Sequence, residues 1–228
     1  MTDTVAGNRE ENSTTTPWAS RLRTFGPVLL GLLAVVPPIM MLREVLRYPQ
    51  MHFYDYWWVL LDITNDDGSL RPSALLGFRN EHPFVLPSLL FWLSARYGNG
   101  LNQPLGLLII AFGIGCVLLV WRMLPEHLGR WQRAGLVAAT STLVFNPHGI
   151  HNYVRSMSGA SWLLAMLLVL AALLAAQRQH HITAVACGLL ASISYGTSFA
   201  VWPALALTAW LRGERKRWVV TPLVTGAV

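Results

Sequence analysis

Uncharged apolar runs long enough to cross a bilayer constrain this chain more than any other feature of its sequence. Phe25–Leu42 and Gly159–Gln177 carry no charged side chain, and Leu101–Met123 carries one, Arg122, at its end. About 18 to 20 apolar residues in a helix cover a hydrocarbon layer roughly 30 Å thick, whereas a water-soluble core does not need such concentration. Composition agrees: apolar residues make up 54% of the chain and charged residues 12%, against about a quarter charged in soluble domains. The net charge of +6 raises nucleic acid as a partner. The basic residues, however, cluster between the apolar runs, which is how membrane orientation is set, so no nucleic-acid partner is expected. Cys116 and Cys187 both lie inside apolar stretches, where thiols are inert, and neither suggests a metal-ligand pair.

The expected fold is therefore all-α, a polytopic transmembrane helical bundle. Residues 1–24 read as a disordered cytoplasmic N-terminus, polar and rich in Thr, Asn and Glu near its start. The first span, 25–42, is followed by Arg43 and Glu44 and not by a small-residue cleavage site, so it is read as an uncleaved span. Pro37 and Pro38 are expected to kink it or end its regular hydrogen bonding. A polar segment, 43–100, holds six of the eleven acidic residues. Within it Tyr54, Trp57, Trp58 and Leu61 recur at helical spacing, as in a helix lying on a membrane surface. Asn65-Asp66-Asp67-Gly68 is a turn signal. Pro83 to Tyr97 is apolar but only about 15 residues long, ambiguous on length alone. Further spans are expected near 101–123, 134–147, 159–177, 182–195 and 198–211, with an incomplete one at 218–228. That last segment is too short to cross, so the chain reads as the N-terminal half or a fragment of a longer protein, inactive in isolation.

The charge distribution decides the orientation. If Pro83–Tyr97 lies on the surface and the N-terminus is cytoplasmic, then Arg122, Arg130, Arg133, Arg178, Arg212, Arg215, Lys216 and Arg217 all face the cytoplasm, as the positive-inside rule favours. The acidic loop 43–100 and the loop His148–Arg155 then share the outer face.

Candidate chemistry gathers in those two loops. Asp55 lies within His52-Phe53-Tyr54-Asp55-Tyr56-Trp57-Trp58. A carboxylate among aromatics at a membrane boundary is partly desolvated, which raises its basicity and suits proton abstraction. The competing reading is an interfacial aromatic belt with the acid facing water. Asp62, two turns later, either joins Asp55 in binding a divalent metal or a sugar, or forms the wet side of a surface helix. No cofactor follows with certainty. In Asn80-Glu81-His82-Pro83, Glu81 and His82 either hold a sugar hydroxyl or position the carboxylate, or the stretch caps a helix. Arg79 and Arg155 lie on the outer side against the orientation trend, and arginine grips phosphate oxygens bidentately. His151 and Asn152 share the Arg155 loop without an H-E-x-x-H pattern, so no metal site is assigned there.

Together these features resemble the GT-C superfamily of polyprenyl-phosphate-sugar-dependent glycosyltransferases. The resemblance rests on one span followed by an outer loop opening aromatic-Asp-aromatic-Trp, on Asn80-Glu81-His82-Pro83-Phe84-Val85-Leu86-Pro87, and on Ser192–Leu211 with its small-residue turn and Trp-Pro. It covers roughly Phe25 to Val228. Asp55 is flanked by Tyr54 and Tyr56, where many members carry a second acid, and Pro83 stands where bacterial members often have Arg. The resemblance implies a GT-C-like bundle with outer-face juxtamembrane helices in a bacterial cytoplasmic membrane, and Asp55 as catalytic base. It also implies a polyprenyl-phosphate-linked sugar as donor and a glycan or lipid as acceptor. The rival expectations are a transporter or flippase for lipid-linked saccharide, which should carry ionisable residues inside its spans, and a non-catalytic membrane assembly partner.

Overall fold

The computed structural model describes residues 17–52, 54–79 and 81–227. Its helices are α1 (Pro17–Arg47), α2 (Tyr54–Ile63), α3 (Pro72–Leu75), α4 (Val85–Tyr97), α5 (Asn102–Met123) and α6 (Arg130–Val144). They continue with α7 (Ile150–Val154), α8 (Met157–Gln177), α9 (His181–Ser192), α10 (Val201–Leu211) and α11 (Lys216–Thr225). The chain is thus an all-α membrane protein; among the described residues the strands are β1 (Phe78–Arg79) and β2 (His82–Pro83). Among the described residues three helical segments are long and apolar enough to cross a membrane: Phe25–Arg47, Asn102–Met123 and Met157–Gln177. The other expected spans form shorter helices. At 1.5 Å per residue, α9 is about 18 Å long, short of the hydrocarbon thickness on its own. Two breaks cause the shortening: Asn146-Pro147 ends the apolar run after α6, and Tyr195-Gly196 separates α9 from the run leading into α10.

The first helix extends beyond the expected span 25–42 on both sides. It begins at Pro17, inside the segment expected to be disordered, while residues 1–16 lie outside the described residues. It also continues through Pro37 and Pro38 to Arg47. Pro38 has no N–H to offer the Ala34 carbonyl one turn back. Ser141 on α6, 1% exposed, donates its hydroxyl to that carbonyl at 2.6 Å. A neighbouring hydroxyl that satisfies a freed carbonyl is what lets proline persist inside a membrane helix. α1 packs along α6 and turns Val28, Leu32, Val35 and Ile39 outward.

The core gathers where the end of α1 meets α2, α4, α5, α7 and α8, around Val45, Tyr56, Ile63, Phe91, Ile109 and Leu163. α2 is amphipathic, with one face buried and one exposed. Tyr56, Val59 and Ile63 face inward while Trp57, Trp58 and Leu61 stay exposed, and the Tyr56 hydroxyl donates to the Phe91 carbonyl at 3.1 Å. The segment 83–97 becomes the 13-residue α4 beside it. Successive long helices then alternate in direction, so the loops before α2, before α8 and before α10 gather at one end. The Arg122, Arg178 and Arg212–Arg217 turns gather at the other.

Candidate functional site

At the acidic end the structure opens a cleft of about 410 Å³, lined by Asp55, Arg79, His82, Asn152, Ser158 and Tyr195 among others. That volume falls within the range of small-molecule sites. Asp55 projects from the first turn of α2 and is exposed.

The stretch for which a helix cap is one reading contributes to a hairpin. β1 pairs antiparallel with β2, Phe78 opposite Pro83 and Arg79 opposite His82. Asn80 lies outside the described residues, and Glu81 has φ 66°. Directly opposed residues of such a pair share one face of the ribbon, which is why Arg79 and His82 enter the cleft together. α4 starts only afterwards, with Phe84 at its N-cap and Val85 N–H donating to the Ile193 carbonyl at 2.9 Å. The His82 ring lies 4.6 Å from that of Tyr195. Gly196 makes room for it: a Cβ there would stand 2.4 Å from His82 Nδ1.

Arg79 also forms an ion pair with Asp62 on α2. Asp62 therefore reaches the cleft through Arg79, whose side chain is half-buried. The opposite wall is α7 and the start of α8. Asn152 comes from α7, and Met157, Ser158, Ser161 and Trp162 from α8. Ser156, between them, is fully buried with φ 40°. Its hydroxyl donates to the Asn102 carbonyl at 3.2 Å, and the Asn102 amide donates to the Val154 carbonyl at 2.6 Å. The N-terminus of α5 thereby holds the α7–α8 turn in place.

Four of the expected site residues, Asp55, Arg79, His82 and Asn152, meet in this cleft. Glu81 is exposed at the hairpin turn, His151 is exposed on α7, and Arg155, expected to hold phosphate, is half-buried at the end of α7; none of the three lines the cleft. Sequence reasoning missed Ser158, Ser161, Trp162 and Tyr195. Two serines and a tryptophan at the start of an otherwise aliphatic run were the available signal, submerged by the run's hydropathy. The chemistry on offer is a carboxylate able to take a proton, a guanidinium able to neutralise an anion, and amide and hydroxyl groups suited to a polyhydroxylated ligand. Tyr195, Trp162 and Phe84 add apolar walls. Among the described residues no group of three His, Cys, Asp or Glu is arranged to hold a metal ion. Comparison with protein-family models, with curated proteins and with solved structures found no match for this chain.

His52 underlies this end of the molecule. It is 6% exposed and stacks on Tyr56 with ring centroids 3.6 Å apart. Burial pulls its pKa from 6.5 down to about 4, against a smaller opposing influence of the Leu101 backbone. The folded protein thus takes up this proton only near pH 4, while the unfolded chain takes it up near 6.5. The stability is full above pH 6.5, falls as pH drops toward 4, and is level below that. The whole change is at most about 3 kcal/mol. Unfolding midpoints in detergent between pH 7.5 and 4 should show this loss for the wild type and a flatter profile for His52→Phe, which keeps the ring stack.

Proposed function

We propose that this protein is a membrane glycosyltransferase that moves a sugar from a polyprenyl-phosphate donor to a hydroxyl acceptor at the outer face of a bacterial cytoplasmic membrane. One observation carries the reading: Asp55, Arg79 and polar hydroxyl-binding groups share one aromatic-walled cleft at the end of membrane-length helices. The Asp55 carboxylate takes the proton of the acceptor hydroxyl. The acceptor oxygen attacks the anomeric carbon, the bond from that carbon to the phosphate oxygen breaks, and polyprenyl phosphate leaves with inversion. Arg79 holds the phosphate and offsets the charge that builds on it. Asn152, Ser158 and Ser161 orient the sugar, and Tyr195 and Trp162 cover its apolar face. In this reading the N-terminus and the Arg212–Arg217 turn are cytoplasmic and the cleft opens outward.

The test uses membranes from cells expressing the protein, supplied with polyprenyl-phosphate hexose labelled in the sugar. Release of polyprenyl phosphate, with label passing to a new product, is the expected result. Donor that crosses the bilayer unchanged, or stays intact, overturns the reading.

A further inference from the structure

At the end of the molecule away from the cleft, we propose that the α8–α9 turn and the start of α11 bind the phosphate headgroup of an anionic membrane lipid. The loop Arg212–Arg217 contains one acid, Glu214, and the fold turns it inward. Its side chain is 8% exposed; one carboxylate oxygen accepts from Arg212 Nε at 3.2 Å, and the other lies 3.2 Å from His181 Nε2. With that carboxylate engaged internally, Arg215, Lys216 and Arg217 are left exposed on the surface, and Arg178 is exposed at the neighbouring turn. The Trp218 indole stacks on His181 at 4.2 Å and 14°, and the Arg217 guanidinium carbon lies 4.9 Å from the Trp218 ring centroid.

Beside these cations lies an open pocket of about 370 Å³ lined by Gln179, His180, His181, Ile182, Thr183 and Trp218. Its amide, imidazole and hydroxyl groups suit phosphate oxygens. What favours a lipid over a soluble phosphate is the adjoining surface: Ile182 is 81% exposed, Leu211 71% and Val220 52%. A free anion gains nothing from those side chains, whereas the chains of a membrane lipid cover them. The site is separate from the cleft, so it stands or fails independently of the catalytic reading.

The experiment is lipid retention by the purified full chain in detergent, read by native mass spectrometry, with phosphatidylglycerol, phosphatidylcholine or inorganic phosphate added in separate arms. The wild type should retain phosphatidylglycerol preferentially. At about fivefold per cation, Arg215→Gln/Lys216→Gln/Arg217→Gln should reduce that preference on the order of 10²-fold. Thr183→Val, a surface change within the pocket, should reduce it several-fold. Arg122→Gln/Arg130→Gln/Arg133→Gln removes the same charge from the same end of the bundle and should leave the preference intact. Equal loss from both triple variants would reduce the site to diffuse surface charge. Inorganic phosphate competing as well as the lipid, or an absence of preference in the wild type, would equally overturn the proposal.

Discussion

Sugar transfer by the Asp55→Asn variant is expected to fall by about 10²–10⁴, the usual cost of removing a general base. Asparagine keeps the size and the hydrogen-bonding oxygen of aspartate but cannot accept the acceptor's proton. Asp55 is exposed and lines the cleft without belonging to the core. Expression, membrane insertion and unfolding midpoint should therefore match the wild type. Donor affinity should change little, because Arg79 and the Asn152 wall remain. The rate is measured in membranes carrying the protein, with donor saturating. Undiminished transfer would return Asp55 to the aromatic belt and remove it from the chemistry.

Gly159→Ala should bring the largest loss of stability. Gly159 is buried in the first turn of α8, where α7 crosses it. A Cβ at this position would lie 2.0 Å from the Asn152 carbonyl oxygen and 2.7 Å from Ile109 Cγ2. The first contact is with backbone, so no rotamer change relieves it, and α7 itself has to lift. Tyr153 and Val154 are buried on α7, and lifting it pulls both from the core while shifting Asn152 out of the cleft. A cost of about 3 kcal/mol, the upper end of typical overpacking penalties, is expected. That is on the order of 10²-fold in the folded-to-unfolded ratio. Gly31→Ala is the matched control: no atom lies within 4 Å of a Cβ there, and alanine is the better helix former. Unfolding midpoints in detergent should fall sharply for Gly159→Ala and hold or rise for Gly31→Ala. An unchanged midpoint for Gly159→Ala would mean that α7 is not clamped to α8.

The helix α2 is legible in local residue patterns. α2 carries its exposed Trp57, Trp58 and Leu61 and its buried Tyr56, Val59 and Ile63 on two faces written into neighbouring residues, whereas the run that becomes α4 is ambiguous on length alone. Asp55 stands out because a carboxylate among aromatics is unusual chemistry wherever it sits. His151 and Asn152 are indistinguishable by the same standard. Only the rotation of α7 against Gly159 turns Asn152 into the cleft and leaves His151 outside. Asn80-Glu81-His82-Pro83 is equally open. A helix cap is a local pattern, while a hairpin needs Phe78 to meet Pro83, a pairing that no local pattern announces.

The apolar runs that become membrane-length helices, the amphipathic pattern of α2 and the cluster of cations at Arg212–Arg217 were determined by the sequence alone. Hydropathy, periodicity and charge are sums over neighbouring residues, and no distant contact is needed to evaluate them. The tertiary structure decided which of these residues meet. Ser141 completes the helix at Ala34 across 107 positions, Asp62 engages Arg79, and Gly159 sets the angle of α7. Each depends on a close approach between segments far apart in the chain, where a shift of about one ångström separates a hydrogen bond or ion pair from a clash or a gap.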